Sequence, residues 1–271
     1  MHLSLRGRPA ESQAKAVLKR AIDLGVTFID TADSYCIDES DKHHNEKLIA
    51  SVLAEHPQGK AVRVATKGGL LRPNGDWVRF GDPDHLRKTI RESHRALGGK
   101  DPIFLWQWHA PDPHFPIEQS LQAVREAVDS GLIRYVGLSN VSVADIEAAR
   151  KIVDVVSVQN KYNLGHRQPE SDGVLEYCER HQMTFIPWSP LGGSHGVKGL
   201  YESPPLMALA GELTVSPMRL VLAYFLAKSP VILPIPGASR LESLEDSLAA
   251  VDLPLNAEQV SRMDDISLSR G

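Results

Sequence analysis

Short apolar runs rich in β-branched residues alternate with amphipathic, helix-patterned stretches along almost the whole chain, and that alternation leaves few folds open. The strand-like runs cover residues 26–29, 62–66, 103–108, 135–138, 155–159, 184–188 and 231–235. Between them lie helical patterns at 11–24, from 43, 83–97, 117–130, 143–151, 173–181, 206–228, 241–250 and 256–266. In the first helix Ala16, Val17, Ile22 and Leu24 are expected to share a side, with Gly25 as a stop signal. Strands that alternate with helices argue for a parallel sheet.

The expected fold class is α/β, a TIM-type (β/α)8 barrel, formed as a single domain over residues 1–271. Such barrels run to about 250 residues as one domain. Seven strand-like runs are present where a closed barrel takes eight, so the first strand is expected to be missing or incomplete. No linker, low-complexity segment or charge block divides the chain. The formal net charge of −4 and pI near 6.3 give no electrostatic case for nucleic acid or an anionic membrane. Two cysteines cannot make a disulfide scaffold, and no signal-peptide pattern opens the chain; both features lead to the expectation of a cytoplasmic protein.

Ionisable residues stand at the ends of the first three strand-like runs. F-I-D-T-A-D-S-Y carries Asp30 and, five residues on, Tyr35; V-R-V-A-T-K-G-G carries Lys67; F-L-W-Q-W-H-A carries His109. In a parallel barrel all strand C-termini open on one face, so these four are expected to converge. Singly, each has an ordinary reading: a loop aspartate, a surface tyrosine, a solvent-reaching lysine, a core histidine. Together they make a set with chemical sense. A phenol of pKa about 10 is a poor acid at neutral pH. A lysine cation beside it stabilises the phenolate and lowers that value, and a carboxylate keeps a buried lysine charged. An imidazole can orient a carbonyl oxygen or share its proton. Hydride would have to come from a cofactor, because no side chain supplies one. No nucleophile sits beside a base, which argues against hydrolysis. Schiff-base chemistry at Lys67 is disfavoured by the neighbouring Asp30 and Tyr35.

These stretches, with I-R-Y-V-G-L-S-N, V-V-S-V-Q-N-K-Y-N, P-W-S-P-L-G-G and P-I-P-G-A-S-R in order behind them, resemble the aldo-keto reductases, in a bacterial-type short form without the first barrel strand. The resemblance implies reduction of aldehydes or ketones to alcohols by NADPH, a small-molecule carbonyl substrate, and a catalytic tetrad of Tyr35 as general acid with Lys67, Asp30 and His109. It implies that Ser139, Asn140 and Gln159 hold the nicotinamide carboxamide and that Trp188 stacks on the ring. Ser189, Pro190, Leu191 and Gly193 would wrap the pyrophosphate. Gly237, Ala238, Ser239 and Arg240 would meet the adenosine phosphate, Arg240 pairing with a ribose 2′-phosphate. The same resemblance leaves open a cofactor-binding redox sensor or regulatory subunit with little turnover. Many members carry Glu-Asn where this chain has Asp246-Ser247.

Three further expectations concern neighbouring residues. Asp41 is expected to cap the helix that begins near His43, rather than to join His43, His44 and Glu46 around a metal. Cys36 is expected to be an inert thiol. Trp77, with Trp106 or Trp108, is expected to line the substrate mouth.

Overall fold

The computed structural model describes residues 1–266 and 268, and the chain divides into two compact units, residues 1–158 and 159–271. In the first, α1 (Glu11–Asp23) buries Ala14, Val17, Leu18, Ala21 and Ile22. That is the i, i+3, i+4, i+7, i+8 stripe of a 3.6-residue period. The seam was expected to include Ala16 and Leu24; Ala16 is exposed and Leu24 is 40% exposed, because both lie off that stripe. Gly25 ends the helix as expected, with a φ of +88°. Among the described residues no strand precedes α1. Residues 2–4 form a turn instead, and Leu3 packs into the core with Leu18, Ile22, Leu48 and Val52.

β1 (Phe28–Asp30) pairs in parallel with β2 (Arg63–Gly68), and α2 (His44–Glu55) lies between them in the chain. Asp41 does not cap α2. The residue before the helix is His43, in left-handed conformation, and Asp41 sits in a short 3-10 turn (Glu39–Asp41). Its carboxylate accepts from Arg8 Nη1 at 2.5 Å and from the Ile37 N–H at 3.2 Å. The left-handed turn at His43 separates the would-be cap from the helix it was expected to serve. Glu46 fastens α2 to β2 by accepting from Thr66 Oγ1 at 2.5 Å, and His43 Nδ1 lies 2.6 Å from its other oxygen. His44 reaches Ser4 Oγ instead, at 2.8 Å. Neighbouring histidines on a helix diverge in this way, and no group of three or more candidate metal ligands occurs among the described residues.

The loop after β2 folds into a hairpin of β3 (Leu70–Leu71) and β4 (Val78–Arg79), strands too short to leave a sequence pattern. α3 (Pro83–Ala96) starts at Asp82, whose carboxylate accepts from the His85 N–H at 2.7 Å. Then follow β5 (Ile103–Trp108), α4 (Ile117–Asp129), β6 (Ile133–Ser139), α5 (Val143–Arg150) and β7 (Val155–Gln159). β1, β2, β5 and β6 pair in parallel in chain order, and β7 follows β6. Register aligns Lys67 with Gln107, and Gln107 with Gly137. A Cβ on Gly137 would stand 2.3 Å from Ser157 Oγ and 2.9 Å from Gln107 Cγ. Gly137→Ala is therefore expected to destabilise the chain by about 1–3 kcal/mol, as overpacking does. An unchanged urea midpoint would show that the strands can part at no cost.

The second unit contains α6 (Gln168–Ser171), α7 (Val174–Arg180), β8 (Thr184–Phe185), α8 (Gly193–Tyr201), α9 (Pro204–Glu212), α10 (Pro217–Lys228), α11 (Leu241–Leu248) and α12 (Ala257–Asp264). The strand expected at 231–235 is reduced to one bridge between Phe185 and Ile232. Pro234 and Pro236 supply no N–H and cannot extend a ladder. The strand expected over 184–188 stops at Phe185, and Trp188 makes an isolated parallel bridge to Lys161. α8 was not expected, because Gly193, Gly196 and Gly199 make its sequence read as loop. Gly196 is required by packing: a Cβ there would meet the Leu191 carbonyl oxygen at 2.7 Å. Tyr162, Phe185 and Phe225 form an aromatic core, and Arg167 bonds the Tyr224 hydroxyl at 3.0 Å and the Met263 carbonyl at 2.8 Å. Among the described residues no single helix is long and apolar enough to cross a membrane.

Candidate active site

The strand ends of the first unit bring Asp30, Tyr35, Lys67 and His109 together. Lys67 is the next-to-last residue of β2, with its side chain 1% exposed, and its ammonium has three acceptors. These are Asp30 Oδ2 at 2.5 Å, the Thr31 carbonyl at 2.8 Å and the Tyr35 hydroxyl at 3.1 Å. A buried ammonium is tolerable only when paired and hydrogen-bonded, and all three of its donors are used here. The Asp30 and Tyr35 contacts outweigh the cost of burial and raise the Lys67 pKa, so the amine is charged. Asp30 is held from its other oxygen by Gln107 Nε2 at 3.0 Å.

Tyr35 differs from expectation in one respect. Burial raises its pKa above the ordinary phenol value; Lys67 pulls it down but does not prevail. The phenol thus keeps its proton at neutral pH, which suits a donor.

His109 lies with its ring centre 6.0 Å from that of Tyr35, and Ser34 Oγ is 3.4 Å from its Nδ1. Burial, reinforced by the Lys67 cation, holds its pKa well below 6.5, so the imidazole is neutral at neutral pH. On acidification the unfolded chain takes up this proton first. The stability that neutral His109 contributes is therefore complete above about pH 6.5 and is lost as pH falls below it. Urea midpoints should drop on acidification through that range, with a shallower slope in His109→Gln. Identical slopes in both proteins would contradict the assignment.

Two glycines set the floor beside Lys67. A Cβ on Gly68 would come within 2.8 Å of the Trp106 ring, and Gly69 has a φ of +103° with Trp108 3.0 Å from its notional Cβ. Trp106 and Trp108 are fully buried and do not line a mouth. Period-two alternation on β5 puts them on the face opposite Gln107. Trp77, 46% exposed, stands beside Tyr35 and His109. Its ring centre is 6.3 Å from those of Tyr35 and His109, edge-on to both. Cys36 is buried and its thiol is pushed up to about 11, so it is inert at neutral pH.

Ser139 is buried at the end of β6, and Asn140 follows in left-handed conformation, donating to the His109 carbonyl at 2.9 Å and to Ser139 Oγ at 3.1 Å. These two therefore stand beside the tetrad. Gln159 is buried at the end of β7. In the second unit Trp188 is half-buried, with Lys161 Nζ 5.7 Å from its ring centre. Ser189 is left-handed, and its carbonyl accepts from Asn163 Nδ2 at 3.1 Å. Pro190 is buried, Leu191 packs against Leu222, Ala223 and Ala250, and Gly193 begins α8. Gly237, Ala238 and Ser239 form an irregular, partly exposed segment that leads to Arg240, the exposed residue before α11. Asp246 accepts from Ser216 Oγ and from Arg219, so it serves as an anchor between α10 and α11.

Gln107 and Ser34 complete the tetrad's surroundings and were not anticipated. Gln107 was open to discovery, since alternation along Q-W-H puts it on the same face as His109. Nothing in the sequence marks Ser34.

The sequence matches the Aldo/keto reductase family over residues 1–268. It is 40% identical over 252 residues to the Schizosaccharomyces pombe oxidoreductase C215.11c, covering 92% of this chain and 78% of that protein. It is 33% identical over 261 residues to pyridoxine 4-dehydrogenase of Escherichia coli, covering 94% and 86%. Among solved structures, the thermostable aldo-keto reductase Tm1743 with the inhibitor epalrestat superposes with a TM-score of 0.80 at 30% identity, covering 95% of this chain and 88% of that one. The chain belongs to the aldo/keto reductase family. It is an oxidoreductase of that family with an α/β fold of the (β/α)8 type, in which no strand precedes α1 among the described residues.

Proposed function

We propose that the chain reduces aldehydes or ketones to alcohols with NADPH. The observation that carries this reading is the Lys67 ammonium bonded at once to Asp30 and to the Tyr35 hydroxyl. NADPH, when bound, supplies hydride to the carbonyl carbon. Tyr35 gives its proton to the carbonyl oxygen in the same event. The phenolate left behind is stabilised by Lys67 at 3.1 Å, and Asp30 keeps that amine charged. Neutral His109 would donate an N–H to the same oxygen and so fix the carbonyl's orientation.

The donor set suits the cofactor. A carboxamide both donates and accepts hydrogen bonds, and the Ser139 hydroxyl and the Gln159 amide are groups that do both. The Asn140 Nδ2 donors are given to the His109 carbonyl and Ser139 Oγ, so Asn140 would hold Ser139 in place. Trp188 offers a half-buried indole for stacking. Ser189, Pro190, Leu191 and Gly193 would follow the pyrophosphate, and Gly237, Ala238 and Ser239 the adenosine side. Arg240, exposed at the start of α11, suits a ribose 2′-phosphate and favours NADPH over NADH. The likeness to pyridoxine 4-dehydrogenase supports an aromatic alcohol–aldehyde pair as the first substrates to try.

The test is to incubate the chain with NADPH and a panel of aromatic and aliphatic aldehydes. Alcohol formed in step with NADPH consumed is the expected result. Tight NADPH binding with no turnover of any aldehyde would instead favour a redox sensor or regulatory subunit.

A further inference from the structure

Arg72 is the most poorly compensated charge near the mouth. It lies in the loop after β3 and is 5% exposed. Its Nε and Nη1 have no hydrogen-bond partner, and Nη2 reaches the Cys36 and Ile37 carbonyls only at 3.4 and 3.5 Å. The nearby Glu39 carboxylate takes the backbone N–H of Arg72 and the Lys42 ammonium, not the guanidinium. A buried guanidinium whose Nε and Nη1 reach no acceptor, although the Glu39 carboxylate lies close by on the Arg72 backbone, is costly, and a structure that keeps one calls for an explanation.

Position supplies that explanation. The guanidinium carbon is stacked 3.7 Å from the Trp77 ring centre, and Trp77 is the half-exposed ring set edge-on to both Tyr35 and His109. With 6.3 Å from Trp77 to Tyr35, guanidinium and phenol ring are at most about 10 Å apart, roughly the length of one substituted aromatic ring. We propose that Arg72 anchors an oxyanion, carboxylate or phosphate, carried by the carbonyl substrate, with Trp77 as the movable cover of this subsite. With Trp77 swung off the guanidinium face, the unpartnered in-plane Nε and Nη1 are the donors that would meet a carboxylate or phosphate edge. The anion supplies the acceptors that Nε and Nη1 lack, and the reactive carbonyl then falls at Tyr35 and His109. The subsite rests on the reductase reading for its link to catalysis, but not for binding.

The test compares benzaldehyde, 4-carboxybenzaldehyde and 4-formylphenyl phosphate as substrates. The wild-type chain should favour at least one anionic aldehyde over benzaldehyde by roughly 10- to 100-fold in kcat/KM, the range of a charge-assisted bond. Which anion wins tells carboxylate from phosphate. Arg72→Met should remove the preference through KM and leave benzaldehyde kinetics within about threefold, a split that loss of packing alone would not produce. Equal losses for all three aldehydes, or no preference in the wild-type chain, would overturn the subsite. Should Arg72→Met fail to fold, Arg72→Gln, which keeps a planar polar group against Trp77 and removes the cation, is read in the same way. A fluorescence titration with 4-(hydroxymethyl)benzoate and 4-(hydroxymethyl)phenyl phosphate separates the two readings, since Trp77 reports on its own displacement. Saturable binding of either anion without turnover keeps the subsite and removes the reductase reading; no binding of either removes the subsite.

Discussion

Tyr35→Phe is expected to cut kcat for aldehyde reduction by about 10²- to 10⁴-fold, the scale of a lost general acid, while NADPH affinity stays within a few-fold. The substitution removes one oxygen from a buried ring whose shape is kept, so folding should survive. It takes away the proton the carbonyl oxygen needs and one of the three acceptors of Lys67. Turnover within about threefold of wild type would show that some other group delivers the proton. Resting acidity points the same way: burial keeps the Tyr35 phenol protonated through neutral pH, so reduction should hold a plateau there. A fall in the rate centred near neutrality would contradict that.

Lys67→Met should abolish turnover and also lower stability by about 3–5 kcal/mol, because Asp30 would remain as a buried carboxylate without its cation. The two losses have different origins and can be separated. Adding Asp30→Asn to Lys67→Met removes the stranded charge. Much of the stability should return, and activity should not. If the double variant unfolds as easily as the single one, the pair is not the source of the penalty. If the single variant keeps its activity, Lys67 is not what stabilises the phenolate left on Tyr35.

Most of the first unit could be read in advance because its periodicity is strong and its strands carry few prolines. The helices ending at Gly25 and at Gly98-Gly99 stop where glycine permits positive φ. The second unit was harder for identifiable reasons. Pro234 and Pro236 reduce an apolar run to a single bridge, and three glycines hide α8, one of which, Gly196, is there because the Leu191 carbonyl leaves no room for a side chain. Asp41 has the right type and position for a cap, yet His43 turns left-handed between it and α2. The four tetrad positions were legible as strand ends, and the support under them partly so. Gln107 follows from alternation, whereas Ser34, the Arg72–Trp77 stack and the raised phenol pKa depend on burial and on which loop folds over which ring. The sequence pattern does not encode those.

The most direct test of a proton donor working beside a transferred hydride is isotopic. The chain would be incubated with an aldehyde and NADPH carrying deuterium at the transferable position of C4. The expected result is an alcohol with one deuterium on its carbinol carbon, formed by the wild-type chain and scarcely at all by Tyr35→Phe. An alcohol without that label, or labelled equally fast by both proteins, would contradict it.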